Sequence, residues 1–196
     1  MTARRIAPIA LPLLLLACLT ACTPAGTDPA PAGDAAGGGT AACLADRTWV
    51  LDLPDLTAQL AENMSANGLA VTESSAEGRQ TFVFNSDGSA VASIDATYTL
   101  GVDSGDGIVI TVVQTHSGSP SGQWELDGDT VVFAGWDEAD YAIQNTILVN
   151  GVGADAPITL PDDSLDGTDL TITCEGDSLS TKAAASPFTQ HWNAEN

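Results

Sequence analysis

The pattern of hydrophobic and polar positions divides the chain into three parts. Residues 6–19 form a nearly unbroken apolar run, and residues 23–42 contain no large apolar side chain. From residue 43 onward, apolar and polar positions alternate over many short segments. Alternation with a period of two is typical of β-strands that bury one face. The pattern therefore predicts an apolar leader, a linker and one β-rich domain at 43–196.

About ten segments of this domain alternate and are predicted to be strands, the longest running from Ala90 to Val102. Segments rich in Gly, Asp and Asn separate them and predict tight hairpins, among them Asn85–Gly88 and Gly118–Gly122. Consecutive hairpins indicate an antiparallel meander, and closing the sheet into a barrel removes its exposed edges. We therefore expect a mainly β fold, an antiparallel meander that closes into a β-barrel. A sandwich of two sheets is the alternative, and it would leave less room for a ligand.

One segment, residues 54–68, has the pattern of a helix instead. Pro54 suits the first helical position, and Gly68 suits the position after the last turn. An apolar stripe with a spacing of four residues is formed by Leu56, Leu60 and Met64. The stripe predicts one amphipathic helix, placed after the first strand and packed against the sheet.

The leader, residues 1–21, has the layout of a secretory signal peptide. Two arginines precede the apolar run, which is shorter than the ~20 residues of a membrane-spanning helix. Leu19-Thr20-Ala21-Cys22 resembles the bacterial lipobox, in which the cysteine receives a diacylglyceryl group and becomes the first residue. We therefore expect Cys22 to carry a lipid that anchors the protein at the outer, extracytoplasmic face of the cell membrane. An ordinary signal peptide is the alternative.

Residues 22–42 comprise the lipidated cysteine and a linker that contains only Ala, Gly, Pro, Thr and Asp. Such a segment buries too little apolar surface to offset the entropy lost on ordering, so we expect it to be disordered. A chain of this length and composition has an average reach of ~25 Å. The linker would therefore hold the domain clear of the membrane surface.

The net charge excludes one class of partner. The chain has a net charge of −21, and without the leader only Arg47, Arg79 and Lys182 oppose the 26 acidic side chains. Such a surface repels nucleic acids and anionic lipid headgroups. We therefore expect no nucleic-acid partner, and contact with the membrane through the N-terminal lipid alone. Cation binding is the functional alternative to a role in solubility.

Two cysteines remain in the domain, Cys43 at its start and Cys174 near its end. In an oxidising exterior an even pair predicts a disulfide, which here would close most of the domain into one loop. A catalytic thiol is the alternative, but neither cysteine has a histidine near it in sequence.

Three sets of residues carry a family resemblance. They are Cys43-Leu44 with Trp49, Gln114–Gly118 with Gly122–Trp124 and Gly128–Val131, and Cys174–Leu179 with Ser186–Thr189 and Trp192. Together they resemble a group of actinobacterial secreted lipoproteins with a lipocalin-like domain, a family of unknown function. The resemblance covers most of 43–196 and implies a lipocalin-like β-barrel. It implies no ligand residues, because Arg47 stands where true lipocalins have a glycine two residues before the first-strand tryptophan.

Signatures of catalysis are absent from the sequence. His116 and His191 are the only histidines, and both lie in or beside predicted strands. Neither a Gly-x-Ser-x-Gly segment nor a zinc-type spacing of Cys and His occurs. Asp162–Gly167 matches the first half of an EF-hand loop, but Thr173 stands at the position of the closing glutamate. We therefore expect no enzyme activity, no resident metal and no cofactor, with both histidines in structural roles.

Aromatic side chains are the candidates for a binding site. A barrel of eight to ten strands either encloses a small ligand or fills its interior with side chains. We expect a monomer that binds a small apolar or amphipathic molecule, with some of the aromatic rings lining the cavity. The candidate ligand-binding residues are Trp124, Trp136, Tyr98, Phe82 and Phe84. The alternatives are a cell-envelope module that contacts another protein through a filled barrel, and a hydrolase with an unrecognised site.

Overall fold

The computed structural model describes residues 36–154, 165 and 167–195. Two helices, α1 (Ala36–Leu44) and α2 (Leu53–Ala66), precede and follow the first strand. The strands are β1 (Arg47–Leu51), β2 (Ala70–Phe84), β3 (Ser89–Asp103), β4 (Val109–Gly118), β5 (Ser121–Asp127), β6 (Thr130–Asp137), β7 (Ala142–Val149), β8 (Val152–Ala154), β9 (Asp169–Glu175), β10 (Ser178–Ala183) and β11 (Gln190–Ala194). Within the described residues, no helix is both long and apolar enough to cross a membrane.

Eight of the strands form a closed antiparallel barrel. Their order is β2–β1–β11–β10–β9–β6–β5–β3, and the pairing of β2 with β3 closes the ring. Closure pairs the backbone groups that the two edges of the sheet would otherwise expose. The barrel, with α2 directly after the first strand, confirms the predicted fold class.

Strand β3 is shared between the barrel and a sheet that extends beyond it. Its first half pairs with β5, with Ala90 opposite Gly122, and its second half pairs with β4, with Ile94 opposite Gly118. The register along β3 is the same in both halves, so β4 and β5 behave as one strand that is interrupted at Pro120. The hairpin predicted between Gly118 and Gly122 is therefore wrong. Pro120 has no N–H to donate, but its carbonyl accepts a hydrogen bond from β3 at 2.9 Å, so the chain bends without reversing.

Strands β6 and β7 are divided between the barrel and the extended sheet in the same way as β5 and β4. β6 pairs with β5 inside the barrel, and β7 pairs with β4 beyond it. The turn between them, Glu138–Tyr141, approaches β4 at Gly118. β4, β7 and β8 then continue the sheet away from the barrel. The sheet therefore divides at one place, and this division lies at one end of the barrel.

The opposite end of the barrel is filled with side chains. The largest fully buried side chains are Trp49, Phe84, Phe133, Leu44, Leu179 and Val131, and two of them, Phe84 and Leu179, also border the space at the other end. A disulfide between Cys43 and Cys174 joins α1 to β9, with a Cα–Cα distance of 6.1 Å, and confirms the predicted pairing. The indole Nε1 of Trp49 donates a hydrogen bond to the carbonyl of Leu44 at 3.2 Å. The last turn of α1 is therefore part of the core.

Helix α2 lies at the end of the barrel where the sheet divides. Asp52 caps it, because its carboxylate accepts a hydrogen bond from a first-turn N–H at 3.0 Å. Gly68 follows the helix with a φ of +86°, the left-handed conformation expected at that position. Gln59 exchanges two hydrogen bonds with the backbone of Thr189, at 2.7 and 3.0 Å, and so ties α2 to the β10–β11 connection. The residues of the predicted stripe that face the barrel interior are Leu56 and Leu60.

Helix α1 includes residues that were predicted to belong to a disordered linker. Residues 36–42 were expected to be disordered, yet they belong to a helix that continues to Leu44. Composition gives no helical signal here, because consecutive glycines disfavour a helix. The burial of Leu44 and the disulfide at Cys43 stabilise the last turn instead. The leader, Cys22 and the rest of the predicted linker lie outside the described residues.

Candidate functional site

A cavity of about 520 Å³ occupies the end of the barrel where α2 lies. It is bounded by α2, by the inner face of the barrel and by the turn between β6 and β7. Its apolar wall is formed by Leu56, Leu60, Phe82, Phe84, Ala92, Ile94, Pro120, Trp136, Leu165, Leu170, Leu179, Ala183, Phe188 and Trp192. A mostly apolar cavity of this volume is typical of small-molecule sites.

Aromatic rings form the floor of the cavity. Phe82 lies at their centre, with its ring centroid 4.6 Å from that of Phe84 and 6.2 Å from that of Trp192. Trp136 stacks on Phe82 with centroids 5.9 Å apart and ring planes 6° apart. Ring contacts at these distances are stabilising. The floor is therefore held in place before any ligand arrives.

Two glycines place Trp136 in the cavity wall. Gly135 has a φ of +61° and lies in a β-bulge, where the register between β5 and β6 shifts. Without the bulge, strict alternation from the buried Phe133 would point Trp136 outward. On the facing strand, a Cβ at Gly122 would lie 2.5 Å from Cε3 of the indole. The bulge therefore turns the indole inward, and Gly122 leaves the space that it occupies.

Polar side chains line the wall near the division in the sheet. The hydroxyl of Tyr98 donates a hydrogen bond to Oε1 of Gln80 at 3.1 Å. Nδ1 of His116 lies 2.7 Å from the hydroxyl of Tyr141, and the His116 ring lies edge-on to Tyr98 with centroids 5.2 Å apart. Because β2, β3 and β4 are neighbours, these groups form one polar strip beside the aromatic floor.

The phenol of Tyr98 is neutral at physiological pH. Burial raises the pKa of Tyr98 to about 12, because the phenolate would lose its solvation. The hydroxyl therefore remains a hydrogen-bond donor, and the amide oxygen of Gln80 accepts the hydrogen bond. This part of the wall can bind a polar ligand group without contributing a charge.

Glu138 is the only Asp or Glu among the described residues of the wall. Its backbone carbonyl accepts a hydrogen bond from the N–H of Tyr141 at 2.9 Å, so one tight turn carries both side chains to the cavity. Gly118 allows this turn to approach β4. A Cβ at Gly118 would collide with the carbonyl of Asp140 and would lie 2.8 Å from Cα of Tyr141.

Four of the five candidate aromatic residues line the cavity, namely Phe82, Phe84, Tyr98 and Trp136. Trp124 lies elsewhere, in the filled end of the barrel. Its ring packs edge-on against Phe84 with centroids 5.3 Å apart, and its Nε1 donates to the carbonyl of Asn85 at 3.1 Å. Trp124 is therefore a core residue, and the structure gives it no contact with the cavity.

The polar part of the wall is not predicted by the sequence pattern. The polar side chains that the sequence pattern does not single out include Gln80, Gln114, His116, Glu138 and Tyr141. The pairing of β3 with β4 identifies His116 as a residue of the wall. His116 lies opposite Ala96, and Ala96 points to the barrel interior. The sequence predicts that β3 and β4 are consecutive antiparallel strands, but their alternation alone does not give the register that puts His116 opposite Ala96. His191 lies away from the cavity, with Nδ1 2.9 Å from the carboxylate of Asp55 at the surface.

Several hydroxyl groups of the wall are hydrogen-bonded to neighbouring residues. Thr181 Oγ1 donates to Gln190 Oε1 and accepts from the indole of Trp192, both at 3.1 Å. Thr57 Oγ1 donates to the backbone carbonyl of Leu53 at 3.1 Å. These contacts suit a rigid binding surface better than a nucleophile activated by a base.

A metal site is not evident in the part of the chain that the structure describes. Those residues contain no group of three or more His, Cys, Asp or Glu side chains that could hold a metal ion. The segment Asp162–Gly167, which matches half of an EF-hand loop, lies outside the described residues except for Leu165 and Gly167.

A scan against protein-family models found no match for this chain, and a search of curated proteins found no match either. Barrels of this kind serve many unrelated functions, so the fold alone does not specify one. The side chains around the cavity are the features that bear on function.

Proposed function

We propose that this chain is a lipid-anchored extracytoplasmic protein whose barrel binds a small apolar or amphipathic molecule. The observation that carries the proposal is the cavity of about 520 Å³ with an aromatic floor and a polar strip on one side. The alternative, an interaction module with a filled barrel, would have side chains in this space.

The two parts of the wall have complementary roles. Burial of an apolar group on the floor around Phe82 and Trp136 contributes roughly 25 cal/mol for each Å² removed from water. The hydroxyl of Tyr98, the amide of Gln80 and the imidazole of His116 supply the directional contacts that orient a polar group. A ligand with both characters would use the whole wall.

The leader supports the proposed location. Leu19-Thr20-Ala21-Cys22 resembles a lipobox, and a lipid on Cys22 would attach the protein to the outer face of the membrane. The disulfide between Cys43 and Cys174 is consistent with an oxidising exterior. A tethered binding domain would capture its ligand within the cell envelope.

Mass spectrometry of a copurified molecule tests the proposal. The chain from residue 23 onward, which lacks the lipidated cysteine, is exported behind an ordinary cleavable leader from a bacterial host and purified without detergent. Its organic extract is compared with that of the same protein carrying Trp136→Ala. We expect a small molecule near one equivalent in the first extract and its depletion in the second.

An empty extract alone is compatible with loss of the ligand during purification, so uptake of a probe is measured as well. N-phenyl-1-naphthylamine is uncharged and becomes fluorescent in an apolar site. An empty extract together with no uptake of this probe would contradict the proposal and would favour a protein partner on the envelope.

A further inference from the structure

We infer that the cavity prefers amphiphiles with a cationic head group, such as an organic ammonium, over amphiphiles of the same length with an anionic one. The inference rests on the proposed function, because it specifies the charge of the ligand. It follows from how charged and aromatic side chains are distributed around the wall.

Lysine and arginine are missing from the parts of the chain that build most of the wall. Residues 80–181 contain neither residue, and this stretch supplies β3 to β9. Arg47 and Arg79 are paired with carboxylates outside the cavity, at 3.2 and 2.6 Å. Lys182 is exposed and follows the inward-facing Thr181 on β10, so it lies on the outer face of the strand. An anionic head group would therefore lose its hydration without meeting a lysine or an arginine.

Glu138 gives the wall a negative charge at the division in the sheet. The turn that carries it also carries Tyr141, and Trp136 lies two residues before it. The faces of aromatic rings attract cations within about 6 Å of the ring centroid. An ammonium group in this part of the cavity would therefore lie near a carboxylate and near the rings of Trp136 and Tyr141. A ligand carboxylate would instead be repelled by Glu138.

Three compounds with the same ten-carbon chain test the preference, namely decyltrimethylammonium, decanol and decanoate. Each is used below its micelle concentration to displace N-phenyl-1-naphthylamine from the same unlipidated chain, residues 23–196. The titrations are run at a pH of about 8 and in salt at about 0.15 M, which screens the net charge of the protein. We expect the ammonium compound to displace the probe at a concentration about fivefold below that of decanol, with decanoate the weakest.

Two variants locate the effect. Glu138→Gln removes the carboxylate of the wall, and we expect it to reduce the affinity for decyltrimethylammonium about fivefold while leaving that for decanol unchanged. Glu125→Gln removes the same charge from an exposed position on β5 outside the cavity, and we expect it to change neither affinity.

The outcomes separate the inference from the proposed function. If the probe and decanol bind but decanoate binds as tightly as the ammonium compound, the charge preference is wrong and the binding function stands. The same conclusion follows if Glu125→Gln has the effect expected of Glu138→Gln. If neither the probe nor any of the three chains binds, the proposed function itself fails.

Discussion

Trp136 stacks on Phe82 with the two ring planes only 6° from parallel and their centroids 5.9 Å apart. Phe82 is buried in the barrel core, whereas Trp136 is half-buried and borders the cavity. The indole therefore connects the rigid core to the surface that a ligand would touch. A substitution of Trp136 is therefore the aromatic substitution best suited to distinguish an effect on ligand affinity from an effect on stability.

Replacing Trp136 with Ala should weaken binding more than it weakens the fold. The change removes a ring from the cavity wall, and we expect the affinity for N-phenyl-1-naphthylamine to fall at least about tenfold. Trp124→Phe is the matched control, because Trp124 lies in the core away from the cavity. It should lower the free energy of unfolding by about 1–3 kcal/mol and leave the affinity unchanged. Equal losses of affinity in the two variants would contradict this division of roles.

Gly122 should be needed for the position of the indole. Gly122→Ala places a methyl group 2.5 Å from Cε3 of Trp136, so we expect the ring to move and the affinity for the probe to fall. Overpacking of this kind typically costs about 1–3 kcal/mol of stability, measurable by urea unfolding. Gly153→Ala is the control, because a Cβ there has no atom within 4 Å. If both variants behave like the parent protein, the wall does not depend on this contact.

The fold should lose stability at high pH as Tyr98 ionises. The pKa of Tyr98 is raised from 10 to about 12 in the folded protein. Between pH 10 and pH 12 the tyrosine therefore ionises more readily in the unfolded chain, and this lowers the free energy of unfolding. Below pH 10 both states keep the proton, and the stability is not reduced. The loss amounts to roughly 2 kcal/mol. The absorbance of tyrosinate reports the titration directly, because the chain has only two tyrosines.

Two substitutions show which tyrosine ionises at the higher pH. Tyr98→Phe should remove the component that ionises near pH 12, whereas Tyr141→Phe should retain it. A Tyr98 that ionises near pH 10 in the folded protein would show that the hydroxyl is not shielded from water.

Lipid attachment should depend on Cys22 and not on Cys18. In cells fed a labelled fatty acid, Cys22→Ser should abolish incorporation of the label, because it removes the thiol that the lipobox presents. Cys18→Ser is the matched control, since Cys18 lies within the apolar run that is expected to be removed with the leader. Retention of the label in the Cys22→Ser protein would exclude this residue as the anchor.

Features set by local patterns could be predicted from the sequence. The strand from Ala90 to Val102 corresponds to β3, and the helix predicted over 54–68 corresponds to α2, because both depend on a regular apolar spacing. The disulfide followed from the number of cysteines and the expected compartment. These features need no knowledge of which strands are neighbours.

Features set by pairing between distant strands could not be predicted. Gly118–Gly122 has the composition of a hairpin, yet β4 and β5 both follow β3 in one register. The division of the sheet brings Tyr141 to His116, a contact between residues 25 apart in sequence. Trp136 faces the cavity only because the bulge at Gly135 breaks the alternation of β6. A period of two cannot reveal such a bulge from one sequence.

Blocking the cavity from inside is the most direct test of its role. Ala183 lines the cavity on β10, and the neighbouring Lys182 is exposed on the outer face of the strand. Ala183→Trp places an indole in the cavity, and Lys182→Trp places the same side chain outside. We expect titration with N-phenyl-1-naphthylamine to show no saturable binding to Ala183→Trp and unchanged binding to Lys182→Trp, with both proteins folded by circular dichroism. Binding of the probe to Ala183→Trp with the affinity of the parent protein would contradict a ligand site within the barrel.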